Sequence, residues 1–256
     1  MVQRGKTSFR KKQKAKKSSS DGLIRLNKYI ANAGICSRRE ADTLIEAGVV
    51  KVNGKVITEM GYKVSPTDEV RFNDSRLKAQ TERYLLLNKP KNYSGRKQNS
   101  PKKKDVFQLI KGACKESILP TCRLAKNATG LLLFTNDSLM VKKLSNPKKR
   151  VKEIFHLHLD KKLLAADLNK IQKGLTINGR KIIPNRISYI ENKDKNEVGI
   201  ELNSGGVKGV NIIFEQLGYK VSLIDRVFYA GLTKKDLPRK KYRFLTADEI
   251  NLLKRI

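Results

Sequence analysis

Although 39% of its residues are hydrophobic, the sequence has no apolar stretch near the roughly 20 residues that a membrane-spanning helix needs. Its basic start is never followed by an apolar run, which excludes a secretory signal of the usual kind. Cysteine is scarce: Cys36, Cys114 and Cys122 stand far apart with no C-x-x-C pair, so a disulfide framework or a thiolate zinc site is not expected. The three thiols read as reduced and partly buried. Acidic side chains are also short in supply, with 24 Asp and Glu against 56 Lys and Arg and a formal net charge of +32. A field of that size draws in polyanions, because each cation set on a phosphate releases a condensed counterion. An anionic membrane surface would call for a basic amphipathic helix or a lipidation motif, and the sequence shows neither. Composition therefore points to a cytoplasmic protein whose partner is nucleic acid and which has no dealings with membranes.

Within 256 residues there is room for one large domain and a small companion. Residues 1–21 carry eight basic side chains before Ser18 and no acidic one before Asp21, and have no periodicity, so they read as a disordered basic arm. From Gly22 the texture changes. Leu23, Leu26, Ile30 and Ala33 recur at helical spacing and Gly34 ends the run. Ser37 with Glu40 forms a capping box for a second helix, which turns Ala41, Leu44 and Ile45 inward and stops at Gly48. The stretch 49–57 alternates about Asn53-Gly54, a strong hairpin signal, and a strand over 69–72 follows the Pro66-Thr67-Asp68 turn. Residues 74–82 are polar and read as a linker.

The remainder, 83–256, mixes strands and helices on short connections, which predicts an α+β domain built on a mostly antiparallel sheet. Tyr84 to Leu87 and Leu131 to Phe134 are apolar runs suited to buried strands, whereas Ile154 to Leu159 alternates and sets His156 and His158 on one face. A His-x-His pair with no third ligand type nearby reads as an ordinary strand face, and no metal site is assigned. Gly205-Gly206 before Lys208 lacks the phosphate-loop pattern and reads as a turn. Helices are expected over 163–174 and 210–218, and strands over 198–202 and 221–228.

The run from Arg25 to Ile57 resembles the S4 RNA-binding domain in its first helix, its Ser-Arg-Arg-capped second helix and its V-x-V-N-G hairpin. Arg38 and Arg39 sit in the first turn of a helix whose other face is apolar, so they point outward. With Arg25, Lys28, Lys51, Asn53 and Lys55 they form the expected RNA-binding surface of a module spanning 22–73.

The second domain resembles the ribosomal RNA pseudouridine synthases that carry an N-terminal S4 module. The resemblance rests on YLLLNKPK at Tyr84, LPTCRLAKNATGLLLFTND at Leu119, VKEIFHLHLD at Val151, FEQLGYKV at Phe214 and the terminal stretch from Asp225. It implies an enzyme that takes a uridine out of its stack and isomerises it, with an aspartate in a G-R-L-D-x-x-T-x-G-L-L-L segment as the essential carboxylate. Here that segment reads from Cys122 to Leu133 with Ala125 at the aspartate position. A methyl group neither attacks carbon nor moves a proton. The tyrosine of the family's K-x-Y-x-V strand falls on Phe155, and the arginines of its G-R-N-R-x-V-R-R-M-F-E helix start are lost, with Asn211 and Ile212 among the replacements. With the aspartate gone, a retained buried arginine would be an uncompensated charge, so the losses agree with one another.

These readings imply a pseudoenzyme that binds structured RNA, ribosomal RNA in particular, on its own or in ribosomal particles. It would be a monomer without cofactor, and Arg123, Lys126, Thr129 and Lys208 would flank the altered site with Phe155 offering a ring to a base. Two rivals stand beside it. One is an active isomerase with a carboxylate brought from Asp105, Asp137 or Asp225. The other is a translation-quality-control factor that uses the S4 module on stalled particles.

Overall fold

The computed structural model describes residues 23–77, 80–98, 100, 103–146, 149–177, 179–203 and 206–256. The basic arm assigned to 1–21 lies outside them. The chain divides into two compact units between residues 79 and 80.

The first unit runs β1 (Ile24–Arg25), α1 (Leu26–Asn32), α2 (Arg38–Glu46), β2 (Val50–Val52), β3 (Lys55–Val56), β4 (Lys63–Val64), β5 (Val70–Phe72) and β6 (Ser75–Arg76). Local chemistry sets its turns. The Ser37 amide donates to Glu40 Oε2 at 2.7 Å while Ser37 Oγ accepts from the Glu40 amide, so the capping box is formed as read. Asn53 and Gly54 both take positive φ, which joins β2 to β3 with the handedness a tight hairpin requires. Leu26, Ile30, Ala41, Ile45, Val50 and Val52 close a small core, whereas Leu23 lies outside α1 and is about half exposed. The polar stretch 74–82 is not all linker: β6 pairs with β5, and Leu77 buries itself in this core.

The second unit begins with β7 (Tyr84–Lys89), α3 (Val106–Leu109), β8 (Leu119–Pro120), β9 (Thr129–Thr135), α4 (Ser138–Ser145) and β10 (Glu153–Leu159). It continues with α5 (Ala165–Lys173), β11 (Leu175–Ile177), β12 (Arg180–Ile182), β13 (Arg186–Tyr189), β14 (Glu197–Leu202) and α6 (Gly206–Gln216). It ends with β15 (Val221–Tyr229), β16 (Leu232–Thr233), β17 (Tyr242–Phe244) and α7 (Ala247–Arg255). One sheet organises the unit, in the order β13-β14-β10-β15-β9-β7-β17, antiparallel except where β15 meets β9. The fold is therefore α+β, a small helix-and-hairpin module followed by a domain on a mostly antiparallel sheet.

The central strands are apolar throughout because both of their faces are covered. Leu85, Leu87, Leu132 and Phe134 join one core, and Tyr84, Leu86, Leu131 and Leu133 join another on the opposite face. At the other side of the sheet the pattern becomes strictly alternating. β10 and β14 bury every second residue, so one of their faces looks away from the core. α6 begins at Gly206, so this half of the expected Gly205-Gly206 turn already belongs to the helix, and Gly205 lies outside the described residues. Among the described residues no helix is long and apolar enough to cross a membrane.

Candidate functional site

A cleft with two lobes opens in the second unit. One lobe, of about 760 Å³, includes Lys97, Cys122, Lys149, Glu153, Asn203 and Arg226 in its lining. The other, of about 640 Å³, is lined by Ala125, Lys126, Lys208, Asn211, Ile212 and Glu215 among others. Gly95, Arg96, Arg123, Leu124, Gly206 and Val207 line both lobes, which makes them one continuous depression. Its walls are the loop after β7, the segment between β8 and β9, the region from the end of α4 to the start of β10, and the first turns of α6. A Cβ on Gly95 would stand 3.1 Å from the Leu124 carbonyl oxygen, so glycine lets the first wall approach the second. Arg96, Lys97, Arg123, Lys126, Lys149 and Lys208 are all exposed, and Glu153 and Glu215 are the acidic lining residues. The cleft is electropositive and suited to a phosphate backbone.

The segment 122–130 is held from below. Lys89 is fully buried, and its ammonium donates to the carbonyls of Ala128 at 2.5 Å, Pro90 at 3.2 Å and Lys126 at 3.4 Å. Burial, with the Arg239 and Arg226 charges nearby, lowers its pKa to about 8. The Asn92 amide donates to the Lys126 carbonyl at 2.8 Å from the other side. Gly130 sits where β9 runs parallel to β15. A Cβ there would meet the Arg226 carbonyl, with the Arg226 nitrogen at 2.6 Å and Asp225 Oδ1 at 2.7 Å, so only glycine fits. Within this fixed frame Ala125 is exposed and presents its methyl group to the second lobe, together with Asn211 and Ile212.

Asp225 ties the frame to the loop that follows β16. Arg239 grips its carboxylate at 3.0 and 3.1 Å, Lys234 donates at 2.5 Å and the Thr129 hydroxyl at 2.8 Å. Burial pushes its pKa up, but hydrogen bonds from Arg239 and Lys234 outweigh that and hold it at about 2. Arg226 is also consumed by structure. Its guanidinium bonds the Leu131 carbonyl at 2.6 and 2.9 Å, Glu153 Oε2 at 3.1 Å and Cys122 Sγ at 3.2 Å, and it lies over the Tyr229 ring.

Several sequence expectations are corrected here. Thr129 does not face RNA: it is buried, and its hydroxyl goes to Asp225 and the Ile224 carbonyl. Phe155 is fully buried on the core side of β10 and offers no ring to a base. Asp105 caps α3 and accepts from the Gln98 amide, Asp137 caps α4 and accepts from the Tyr84 hydroxyl, and Asp225 is committed as described. None of the three lines the cleft. The sequence alone does not single out Glu153, although the strand pattern that puts Phe155 at the tyrosine position puts Glu153 at the preceding lysine. His156 and His158 do meet a third ligand type, Glu197.

On the first unit, Arg38 and Arg39 project from the first turn of α2, exposed and without an ion-pair partner among the described residues. Arg25 and Lys55 are exposed on β1 and β3, and Lys28 is half-buried on α1. Lys51 pairs with Asp74 at 2.6 Å. Asn53 is a structural residue: it donates to Asp68 at 3.0 Å and accepts from the Glu69 amide, locking the hairpin to the next turn.

Comparison with known proteins decides the family. Residues 24–70 match the S4 domain, and residues 83–211, just over half of the chain, match the RNA pseudouridylate synthases. The chain belongs to the RNA pseudouridylate synthase family. Ribosomal large subunit pseudouridine synthase B of Bacillus subtilis is 32% identical to this family member over 235 residues, 91% of this chain and 96% of its own length. The dual-specificity RNA pseudouridine synthase RluF of Escherichia coli is 28% identical over 233 residues, 90% of this chain and 78% of its own. A crystal structure of a pseudouridylate synthase aligns with a TM-score of 0.62 at 25% identity, covering 90% of this chain and 99% of that one. Position 125 of this member, in the cleft wall, is alanine.

Proposed function

We propose that the protein binds structured RNA, ribosomal RNA in particular, through its S4 surface and its basic cleft in the cytoplasm, without isomerising uridine. The observation that carries this reading is Ala125, set in an undisturbed frame with Asn211 and Ile212 beside it in the same lobe. Nucleophilic or proton-transfer chemistry at that point needs an oxygen or nitrogen, and a methyl group supplies neither. Glu215, also in this lobe, is no replacement, because the family's helix pattern carries a glutamate there alongside the aspartate. What remains is binding: an exposed basic wall and a cavity large enough for an unstacked base. The names of the relatives favour ribosomal RNA, and this reading extends to ribosomal particles and to a monomer working without cofactor.

A second reading has one observation in its favour. Glu153 lines the first lobe with its Oε2 3.1 Å from Arg226 Nη1, a carboxylate–guanidinium pair at the wall of a cavity. An isomerase using it would draw uridine into the first lobe rather than the second.

The two separate in one assay. Pseudouridine formation is measured on ribosomal RNA lacking the modification, with the native protein and Glu153→Gln. No product from the native protein, together with RNA binding that weakens steeply with salt, is the result expected. Product that disappears in Glu153→Gln establishes the second reading instead.

A further inference from the structure

The face of β10 that looks away from the core carries both histidines of the chain. The register of β10 with β14 sets His158 directly opposite Glu197 and His156 opposite Gly199. Gly199 has no side chain, and nothing stands within 4 Å of where a Cβ would be, so the space over the pair is open. Glu197 Oε2 lies 2.8 Å from His156 Nε2 and 3.2 Å from His158 Nε2. The three donor atoms fall within 4.8 Å of one another. A tetrahedral zinc ion with bonds of about 2.0–2.1 Å holds its ligand atoms about 3.3 Å apart, so small side-chain rotations suffice to reach that spacing. We propose that His156, His158 and Glu197 form a binding site for zinc or a similar divalent transition-metal ion, tying β10 to β14 and leaving a coordination position open to solvent.

The surroundings favour a cation there over a plain ion pair. The other carboxylates on this face are already neutralised: Asp225, across β15 from His156, by Arg239 and Lys234, and Glu201, further along β14, by Lys152. Leu223 on β15 stands across from His158, and Ser188 on β13 across from Gly199. Among the described residues the ion pairs of Glu197 are thus with the two imidazoles alone, in a chain rich in lysine. The two rings stand with their centroids 5.1 Å apart beside one carboxylate, a donor set that suits a divalent ion. The donor set mixes nitrogen and oxygen, as zinc accepts and as calcium and magnesium do not favour.

The test is titration of the full chain, freed of metal by chelation, with zinc chloride. It is followed by calorimetry and by proton NMR of the imidazole rings. The chain has only two histidines, so their signals report this site even if the thiols also take metal. One equivalent of zinc is expected to shift both histidine signals, and His156→Ala and Glu197→Gln should each weaken binding at least tenfold while the metal-free far-UV spectrum is unchanged. His158→Gln changes the most exposed of the three side chains and carries the same expectation should His156→Ala fold poorly. Histidine signals that stay in place, or a Glu197→Gln protein that binds zinc as tightly as the native one, would overturn the proposal.

Discussion

The frame beneath the cleft and the wall above it obey different physics. Beneath, Lys89, Gly130, Asp225 and Arg226 are buried, and the frame allows them no slack: their polar atoms are paired, and Gly130 has no room for a methyl group. Above, Ala125 is exposed and Asn211 and Ile212 are half-exposed on one helix. A side chain in the wall can be exchanged at small cost in stability, while one in the frame cannot. The shape of the cleft therefore does not depend on the side chain at position 125, because the buried residues that build the frame are not those that face the opening.

Breaking the frame should have the largest effects. Gly130→Ala drives a methyl group into the backbone of β15, and a loss on the order of 4 kcal/mol is expected in urea unfolding of the full chain. Asp225→Asn leaves Arg239 and Lys234 without their carboxylate. Both cations are more than a third exposed and regain water, so about 3 kcal/mol is the expected cost. The same group gives a pH signature. Its folded pKa of about 2 lies below the unfolded value of 3.8, so its contribution is complete above pH 3.8 and vanishes as pH falls through about 2. That contribution amounts to about 2 kcal/mol, and Asp225→Asn should flatten the stability–pH curve across this window. Smaller still, Ala125→Asp should change stability by no more than about 0.5 kcal/mol; a loss of several kcal/mol would join wall and frame and break the distinction between them. On the first unit, Arg38→Gln with Arg39→Gln should leave stability unchanged and lower the slope of log affinity against log salt by about 1 for each phosphate contact removed.

What could be read from the sequence was local. The Ser37–Glu40 cap and the Asn53-Gly54 turn are set by neighbours in the chain, and the runs at β7 and β9 announce strands covered on both faces. What could not be read was mostly distant pairing. Thr129 stands close to Ala125 in the chain, but its hydroxyl belongs to Asp225, 96 positions on. Phe155 has a ring of the right kind on the same strand face as Glu153, but it is fully buried. The Glu153–Arg226 contact spans 73 positions and the His156–Glu197 contact 41, so neither leaves a spacing to recognise. Leu77 leaves no mark in its polar stretch, because one apolar residue after a two-residue strand makes no pattern.

The central claim is that this frame holds a cleft without its isomerisation chemistry. Its most direct test is pseudouridine formation on unmodified ribosomal RNA by the native protein, beside Ala125→Asp combined with Asn211→Arg. No product from the native protein under conditions where it binds that RNA is the predicted result. Product from the native protein would contradict the account.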